Sequence, residues 1–354
     1  PRPAPGAQPA PPPAPAPAAD PIPPVAQAPG DIAPNAPTLL GPASEIRRGL
    51  GLQAFIDGQY VLPKFTQTAD RGFTVNDAAI YLAKDFGGGV AAMIDLPFAS
   101  DNTTDNNVEF GTQKAQAFLQ WNHGVLSTKF GQFDTIYGVE QNDSKDRFFA
   151  DAGLVKTTQI PLTHTGALVG VGFEHFVIRG LIADVNNTSS QSTAAANNGN
   201  LEFGLQGRFD FAPMYVAVGA LFGEDHNIQE ERTNLLVDVM GGFKIDRFRL
   251  DAYVNSLSTA GVEDASTTVG VLSTFELTPA LGLGARLEWL KDSQANFLGL
   301  GGQYDALALT VGPSWKVLPE VTLRGDANFA NVEASAGGDD ESLLSLGASV
   351  VAGF

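Results

Sequence analysis

The sequence contains no cysteine, has few basic residues and has no long apolar run, and each absence excludes a class of protein. With 0 Cys in 354 residues, a disulfide scaffold, a Cys-ligated metal site and a thiol enzyme are excluded. The 39 acidic residues outnumber the 21 basic ones and give a net charge of -18. That balance argues against a nucleic acid partner, because phosphate binding needs a basic surplus. The longest uncharged apolar stretches, 87–94 and 214–223, are far shorter than the roughly 18 residues of a membrane helix.

Proline is also scarce over most of the chain, since 16 of the 23 prolines lie in residues 1–42. This Pro/Ala-rich segment has too few bulky apolar residues to offset the entropy cost of folding. We therefore expect a flexible tether, with a docking site for a proline-binding partner as the alternative. Residues 43–354 are predicted to form the folded domain that carries the negative charge. We also expect a mature, processed chain, because no N-terminal stretch has the pattern of a signal peptide.

From about Leu50 onward the hydrophobic pattern has period two. In residues 201–211, Leu and Phe alternate with Glu, Gln, Arg and Asp, which places apolar and polar side chains on opposite faces of a strand. Short turns alternate with long polar loops, and the 7 prolines beyond residue 42 all fall at or near strand ends, where a missing N–H costs least. Marking every such run predicts about sixteen strands, at 50–62, 76–86, 88–98, 113–122, 125–134, 162–173, 176–186, 201–211, 213–223, 234–244, 247–257, 267–277, 280–290, 303–315, 320–331 and 342–354.

The two faces of these strands differ in a way that favours a membrane barrel. The polar face mixes Gly, Gln, Asn and Ser with charges of both signs, as expected for a wall that faces water inside a channel. Aromatic residues lie near strand ends on the apolar face, where they suit the two membrane interfaces; they are Tyr60, Phe98, Trp121, Phe211, Phe243, Phe248, Trp289, Phe329 and Phe354. The predicted fold is all-β, a transmembrane antiparallel up-and-down β-barrel, whose closure leaves no unpaired backbone in lipid. A soluble all-β protein with an apolar core remains the alternative.

Two short segments resemble a known family. Residues 129–140 read KFGQFDTIYGVE and residues 161–166 read PLTHTG; they resemble the segments that flank a long third loop in the OmpL-like group of outer-membrane beta-barrel porins. Val139 stands where that group has an aromatic residue. The C-terminal Phe354 is similar to the terminal signal that the outer-membrane assembly machinery reads. The resemblance implies a passive diffusion channel and leaves the solute open.

In such a barrel, function depends on the side chains that line the lumen. Strand parity places six basic side chains inside, those of Lys129, Arg179, Arg208, Arg249, Arg286 and Arg324. It also places nine acidic side chains inside, those of Asp57, Asp95, Glu202, Asp210, Asp238, Asp251, Glu288, Asp305 and Asp326. The loop at 135–161 is long enough to fold into the lumen, and it is acidic. Its acidic residues, together with the one that directly precedes it, are Asp134, Glu140, Asp143, Asp146 and Asp151. Our hypothesis is a constriction between this loop and the basic wall, whose transverse field would discriminate solutes by charge. The alternative is that these charges simply pair with one another.

No residue pattern predicts catalysis or a bound metal. The four histidines have no ligand spacing, so neither a metal nor a cofactor is expected. His164 faces the lumen by parity, but no serine is placed to serve as its nucleophile, which argues against an enzyme.

The expected partners follow from the predicted location, a bacterial outer membrane with the N-terminal segment in the periplasm. They are outer-membrane lipid and lipopolysaccharide, small hydrophilic solutes, the assembly machinery and, by analogy with barrels of this size, two further copies in a trimer; no nucleic acid is expected. The excess of acidic residues predicts a mild preference for cations. A structural barrel that anchors the envelope without conducting is the alternative function.

Overall fold

The structure, a computed structural model, describes residues 50–63, 72–100, 108–110, 115–184, 201–227, 230–261, 264–293, 303–334 and 341–353. The predicted tether (1–42) and Phe354 lie outside these ranges. The strands are β1 Leu50–Pro63, β2 Gly72–Gly87, β3 Val90–Ser100, β4 Val108–Phe110, β5 Gln116–His123, β6 Leu126–Asp134, β7 Thr163–Gly172, β8 Phe176–Asp184, β9 Leu201–Phe211, β10 Met214–Asn227, β11 Glu230–Ile245, β12 Phe248–Thr259, β13 Ser266–Glu276, β14 Leu281–Asp292, β15 Tyr304–Leu318, β16 Val321–Ala334 and β17 Glu341–Gly353. Two short helices, η1 Ser144–Asp146 and α1 Leu154–Thr158, lie between β6 and β7.

The strands close into one antiparallel barrel. Apart from β4 and β5, each strand pairs with the next along the chain, and β17 pairs with β1, with Tyr60 opposite Ala348. Segments β4 and β5 both pair with β3 and form two parts of one barrel strand, so the barrel has sixteen strands. Closure gives every barrel strand two neighbours, which satisfies backbone hydrogen bonding in a hydrocarbon environment. The predicted fold class is confirmed.

Burial follows the predicted alternation. In β9, Phe203 and Leu205 are 52% and 60% exposed on the outer face, whereas Glu202 and Arg208 are each 2% exposed on the inner face. The outer face therefore carries the apolar band, and Trp121, Trp289 and Phe329 also lie on it. In the part of the chain that the structure describes, no helix has the length and apolar character to span a membrane.

Strand ends differ from the prediction mainly at the rim that bears the long loops. Residues 223–233 were expected to form a polar loop, but β10 continues to Asn227 and β11 begins at Glu230, with these two residues opposite each other. Above the hydrocarbon both faces of a hairpin meet water, so the ladder of hydrogen bonds continues without any alternation of apolar and polar residues. The opposite rim carries the short turns at 88–89, 124–125, 212–213 and 246–247, and we call it the short-turn rim.

The segment 135–161, which we call the lumen loop, folds back inside the barrel. Its apolar residues Ile136, Tyr137, Val155 and Ile160 are at most 4% exposed. They form one cluster with inward-facing side chains of β7, β8 and β10–β12, namely Leu168, Leu181, Ala183, Ala217, Leu221, Leu236, Met240, Tyr253 and Leu257. This sector of the wall is apolar, which the sequence did not predict, and its burial against the loop favours the inward fold.

Candidate functional site: the lumen loop and its wall

The lumen loop crosses the barrel from wall to wall. On one side, Gln59 of β1 donates to the Asp151 carboxylate at 2.7 Å. On the other, the Tyr137 hydroxyl donates to the carbonyl of Ala220 in β10 at 2.8 Å. In the ring of sixteen strands, β1 and β10 lie on opposite sides. A loop bonded to both walls divides the lumen into two halves.

Arg286 of β14 joins the loop to one side of the wall. Its Nη1 donates to Glu140 Oε1 at 2.7 Å and to the Asp151 carbonyl at 3.1 Å. Its Nε lies 3.3 Å from Glu288 Oε2 on the same strand. Since Arg286 is 3% exposed, this is a buried ion pair, whose charges need one another because water cannot solvate them.

Arg324 of β16 makes a second junction. Its Nη2 donates to Asp57 Oδ2 at 2.7 Å, and its Nη1 donates to the carbonyls of Ser144 at 2.7 Å and Phe149 at 3.3 Å. The side chain is 4% exposed. Arg286 and Arg324 are thus two members of the predicted basic wall that bond directly to the loop.

Wall carboxylates also bind the backbone of the loop. Asp238 accepts from Gly138 N at 3.1 Å, Asp77 from Ser144 N at 2.8 Å, Asp326 from Ala150 N at 2.7 Å and Glu288 from Leu154 N at 2.8 Å. Carboxylates are acceptors only, and each satisfies an N–H that would otherwise be buried without a partner. The wall facing the acidic loop is therefore of mixed sign. Sequence reasoning missed Asp77, although it shares the inward parity of Ala79 and Tyr81.

The other acidic residues of the loop have separate surroundings. Asp143 accepts from the Tyr81 hydroxyl at 2.6 Å, and Asp134, at the end of β6, accepts from Asn142. Asp146 is paired with Lys145, and its side chain is 40% exposed. Burial opposes the charge of Lys145, but the carboxylates of Asp146 and Asp143 outweigh that effect and raise the pKa of Lys145 above its ordinary value.

The remaining basic residues of the prediction have partners on the wall itself. Arg208 pairs with Asp210 at 2.7 Å and stacks on the Tyr215 ring at 4.3 Å. Arg249 pairs with Asp251 at 2.6 Å. Arg179 Nη1 donates to Gln206 at 2.6 Å, and Lys129 lies 4.7 Å from the centre of the Phe118 ring.

One residue expected in the lumen lies on the other face. Asp305 shares the parity of the exposed outward residues Leu307 and Leu309 on β15 and pairs across the ladder with Lys291. The prediction for Asp305 was wrong because, next to the strand end at Tyr304, an outward residue meets water, where a charge no longer indicates the inner face.

Wall glycines make room for the aromatic residues of the loop. A Cβ at Gly204 would lie 2.4 Å from Tyr137 Oη, and one at Gly219 would lie 2.7 Å from Tyr137 Cε1. A Cβ at Gly284 would lie 2.4 Å from Phe148 Cε1. We call these positions the glycine sockets. Sequence reasoning missed this role.

Within the described ranges, no three His, Asp or Glu side chains are grouped so as to hold a metal ion. The site is thus a barrel lumen crossed by a loop that hydrogen bonds and an ion pair fix to the wall.

Comparisons with known proteins agree with this architecture. Solved structures with the same fold include OmpF of Salmonella typhi in complex with daunomycin, at 13% identity and TM-score 0.65 over 88% of this chain and 99% of that one. They also include the anion-selective porin of Comamonas acidovorans, at 12% identity and TM-score 0.61 over 86% and 99%. The trimer form of OmpT of Vibrio cholerae matches at 12% identity and TM-score 0.58 over 86% and 99%. None of the curated proteins matches this sequence.

At the level of sequence, residues 53–354 match the family described as beta-barrel porin-2, OmpL-like. That range includes the described barrel from β2 to β17 and all but the first residues of β1. The resemblance drawn from residues 129–140 and 161–166 is thereby confirmed, and the chain belongs to the OmpL-like beta-barrel porin-2 family.

Proposed function

We propose that this protein is an outer-membrane porin through which small hydrophilic solutes and ions diffuse passively, without catalysis and without a cofactor. The observation that supports the proposal best is a closed barrel of sixteen strands with charged side chains on its inner face. Barrels of about this size leave an aqueous channel, whereas barrels of eight strands are filled by side chains. Membership in a porin family supports the same proposal.

The lumen loop is proposed to form the constriction. Arg286 and Arg324 belong to the basic wall that was predicted to face the acidic loop. They are buried and bonded to the loop, so their role is to stabilise its position and not to contact a solute. The charges open to solvent are better candidates for selectivity. They include Asp146 on the loop and Arg249 on the wall, with side-chain exposures of 40% and 39%.

A second function is favoured by the same loop. Because it is bonded to opposite walls, and because wall charges such as Asp57 and Asp238 are 0% exposed, little free cross-section remains at its level. A barrel sealed in this way would anchor the envelope or conduct very weakly. The Pro/Ala-rich tether would suit such a role.

Single-channel recording separates the two functions. Protein purified in detergent and refolded is added to a planar bilayer, and the conductance and reversal potential are measured. A porin gives stable current steps and, with its acidic excess, a mild preference for cations; an anchoring barrel gives no steps. In a conducting channel, Asp146→Lys should shift the reversal potential toward anions. Asp264→Lys is the matched control, because Asp264 has a 64% exposed side chain and pairs with the outward-facing Lys291.

We further propose that the protein assembles as a trimer. One structural relative is described as a trimer, and the outer face beside the β17–β1 closure carries the small residues Ala54, Gly58, Gly325 and Ala348. Small residues permit close approach of two surfaces within a membrane. Native mass spectrometry in detergent tests this assembly, and a purely monomeric mass would refute it.

The remaining proposals concern the chain ends and the membrane. Strand β1 starts at the short-turn rim, where Leu50 pairs with Lys84 close to the turn at 88–89, and this supports a periplasmic tether. Protease treatment of intact cells should therefore leave residues 1–42 uncut. Phe354 is proposed as the assembly signal, and the outer apolar band and its polar rim are proposed to contact lipid and lipopolysaccharide.

A further inference from the structure

The two segments that resemble the family meet at the base of the lumen loop. Asp134 and Thr163 form the last ladder pair between β6 and β7, and Thr135 N donates to the Leu162 carbonyl at 3.1 Å. Residues that are 29 and 27 positions apart in sequence therefore hold the two ends of the loop together. Passive diffusion through the barrel assigns no role to residues 163–166, which read THTG.

His164 is the centre of this base. Its Nδ1 is hydrogen-bonded to Glu202 Oε1 in β9, and its Nε2 lies 3.0 Å from Thr135 Oγ1. Because a carboxylate only accepts, Nδ1 carries a proton and donates to Glu202, while Nε2 and the threonine hydroxyl share the second hydrogen bond. We call these three residues the root cluster; His164 is 0% exposed, Thr135 1% and Glu202 2%.

The root cluster fixes the direction in which the loop enters the lumen. Thr135 Oγ1 also accepts from Tyr137 N at 3.3 Å, and the ring of Tyr137 packs edge-on against the His164 ring at 6.1 Å. Tyr137 is the side chain that fills the sockets at Gly204 and Gly219. The position of the His164 ring therefore helps to fix the position of Tyr137, which makes the first aromatic contact between the loop and the wall.

The root cluster also joins two strands that do not pair directly. His164 lies in β7 and Glu202 in β9, with β8 between them, while Thr135 follows β6. Inside a dry site, losing one partner leaves the other polar groups without hydrogen bonds, which makes such a network sensitive to single changes.

We propose that His164 is a positioning residue for the lumen loop. It acts through hydrogen bonds to Thr135 and Glu202, which hold the loop in one position across the lumen. The consequence for conduction rests on the porin function proposed above, whereas the seating of the loop does not.

The test compares H164A, T135V, the double variant and T135S. Both single variants break the hydrogen bond between His164 and Thr135, and H164A also removes the one between His164 and Glu202. Each should give at least roughly tenfold more time in a second conductance level. The double variant should resemble H164A, because T135V breaks a link that H164A has already removed. T135S keeps the hydroxyl and should behave as the wild type. H175A is the matched control, since His175 has a 59% exposed side chain on a turn.

Cleavage by trypsin within the loop, after Lys145 and Arg147, is the second readout and does not depend on conduction. It should accelerate roughly tenfold in H164A and T135V, while the heat-dependent gel shift of the folded barrel stays as in the wild type. If the wild type does not conduct but its loop is cut faster in these variants, the porin proposal fails and the positioning role stands. Equal cleavage and equal current in H164A, T135V and wild type would overturn the positioning role, and additive effects in the double variant would overturn the shared link.

Discussion

Replacing Gly219 by alanine should displace the lumen loop without harming the barrel. The new Cβ would lie 2.7 Å from Cε1 and 3.0 Å from Cδ1 of Tyr137, whereas carbon atoms pack at about 3.5–4.0 Å. The ring must therefore move by roughly 1 Å, since the wall strand is held on both sides. A shift of that size also breaks the hydrogen bond from Tyr137 to Ala220, which is 2.8 Å long.

The two effects set the expected magnitude. Overpacking a close contact costs roughly 1–3 kcal/mol, and a lost hydrogen bond costs about 0.5–1.5 kcal/mol. Together they amount to about 1.5–4.5 kcal/mol, which changes the ratio of correctly placed to displaced loop by roughly 10- to 2000-fold. The observable consequences are faster tryptic cleavage within the loop and a changed mean conductance.

Gly170→Ala is the matched control for this substitution. Gly170 also faces inward and is buried, but its nearest neighbour to a new Cβ is Arg179 Cγ at 3.8 Å, an ordinary contact. In a Tyr137→Ala background, Gly219→Ala should have no further effect, because the clashing ring is gone. Identical cleavage rates in Gly219→Ala and Gly170→Ala would refute the claim that Gly219 makes room for the Tyr137 ring.

Three further outcomes follow from the structure. Arg286→Met leaves Glu140 as a buried unpaired charge, at a cost of about 3–5 kcal/mol to the seated loop; faster tryptic cleavage should report this, and adding Glu140→Gln should reverse part of it. Gly131→Ala should lower the melting temperature of the barrel, because Gly131 has φ +126 and its Cβ would lie 2.2 Å from a backbone oxygen; Gly180→Ala, with no atom within 4 Å, should not. Because the pKa of Lys145 is raised above 10.5, its ion pairs are fully formed at neutral pH and are lost only as pH rises above that value, so the contribution of Lys145 to the melting temperature, followed by circular dichroism, should be present and constant between roughly pH 7 and 10. A difference between wild type and Lys145→Met that varies within that range would contradict this assignment.

The strands were predictable because the solvent imposes a simple rule. Lipid tolerates only apolar side chains, and a strand turns every second residue outward, so the alternation of Phe203 and Leu205 with Glu202 directly encodes the two faces. This alternation is not required beyond the hydrocarbon layer. That explains why Asp305 was assigned to the wrong face and why the extension of β10 to Asn227 was not predicted.

The site was predictable only in part. The identity of the acidic loop and the inward parity of Arg286 and Arg324 came from local patterns. Their partners did not, because Arg286 and Glu140 are 146 residues apart and no local pattern specifies which carboxylate a guanidinium meets. The sockets at Gly204 and Gly219 are equally nonlocal, since a glycine on an inner face is explained only by the side chain that occupies the space above it.

By itself, the sequence determined a barrel with an apolar outside, a polar inside and a long acidic loop, because period two and the choice of side chain on each face are properties of neighbouring residues. Only the tertiary structure decided that the loop lies across the lumen, that wall carboxylates hold its backbone and that His164 joins its two ends. Those features arise when distant segments meet inside the closed barrel, where buried polar groups must find partners.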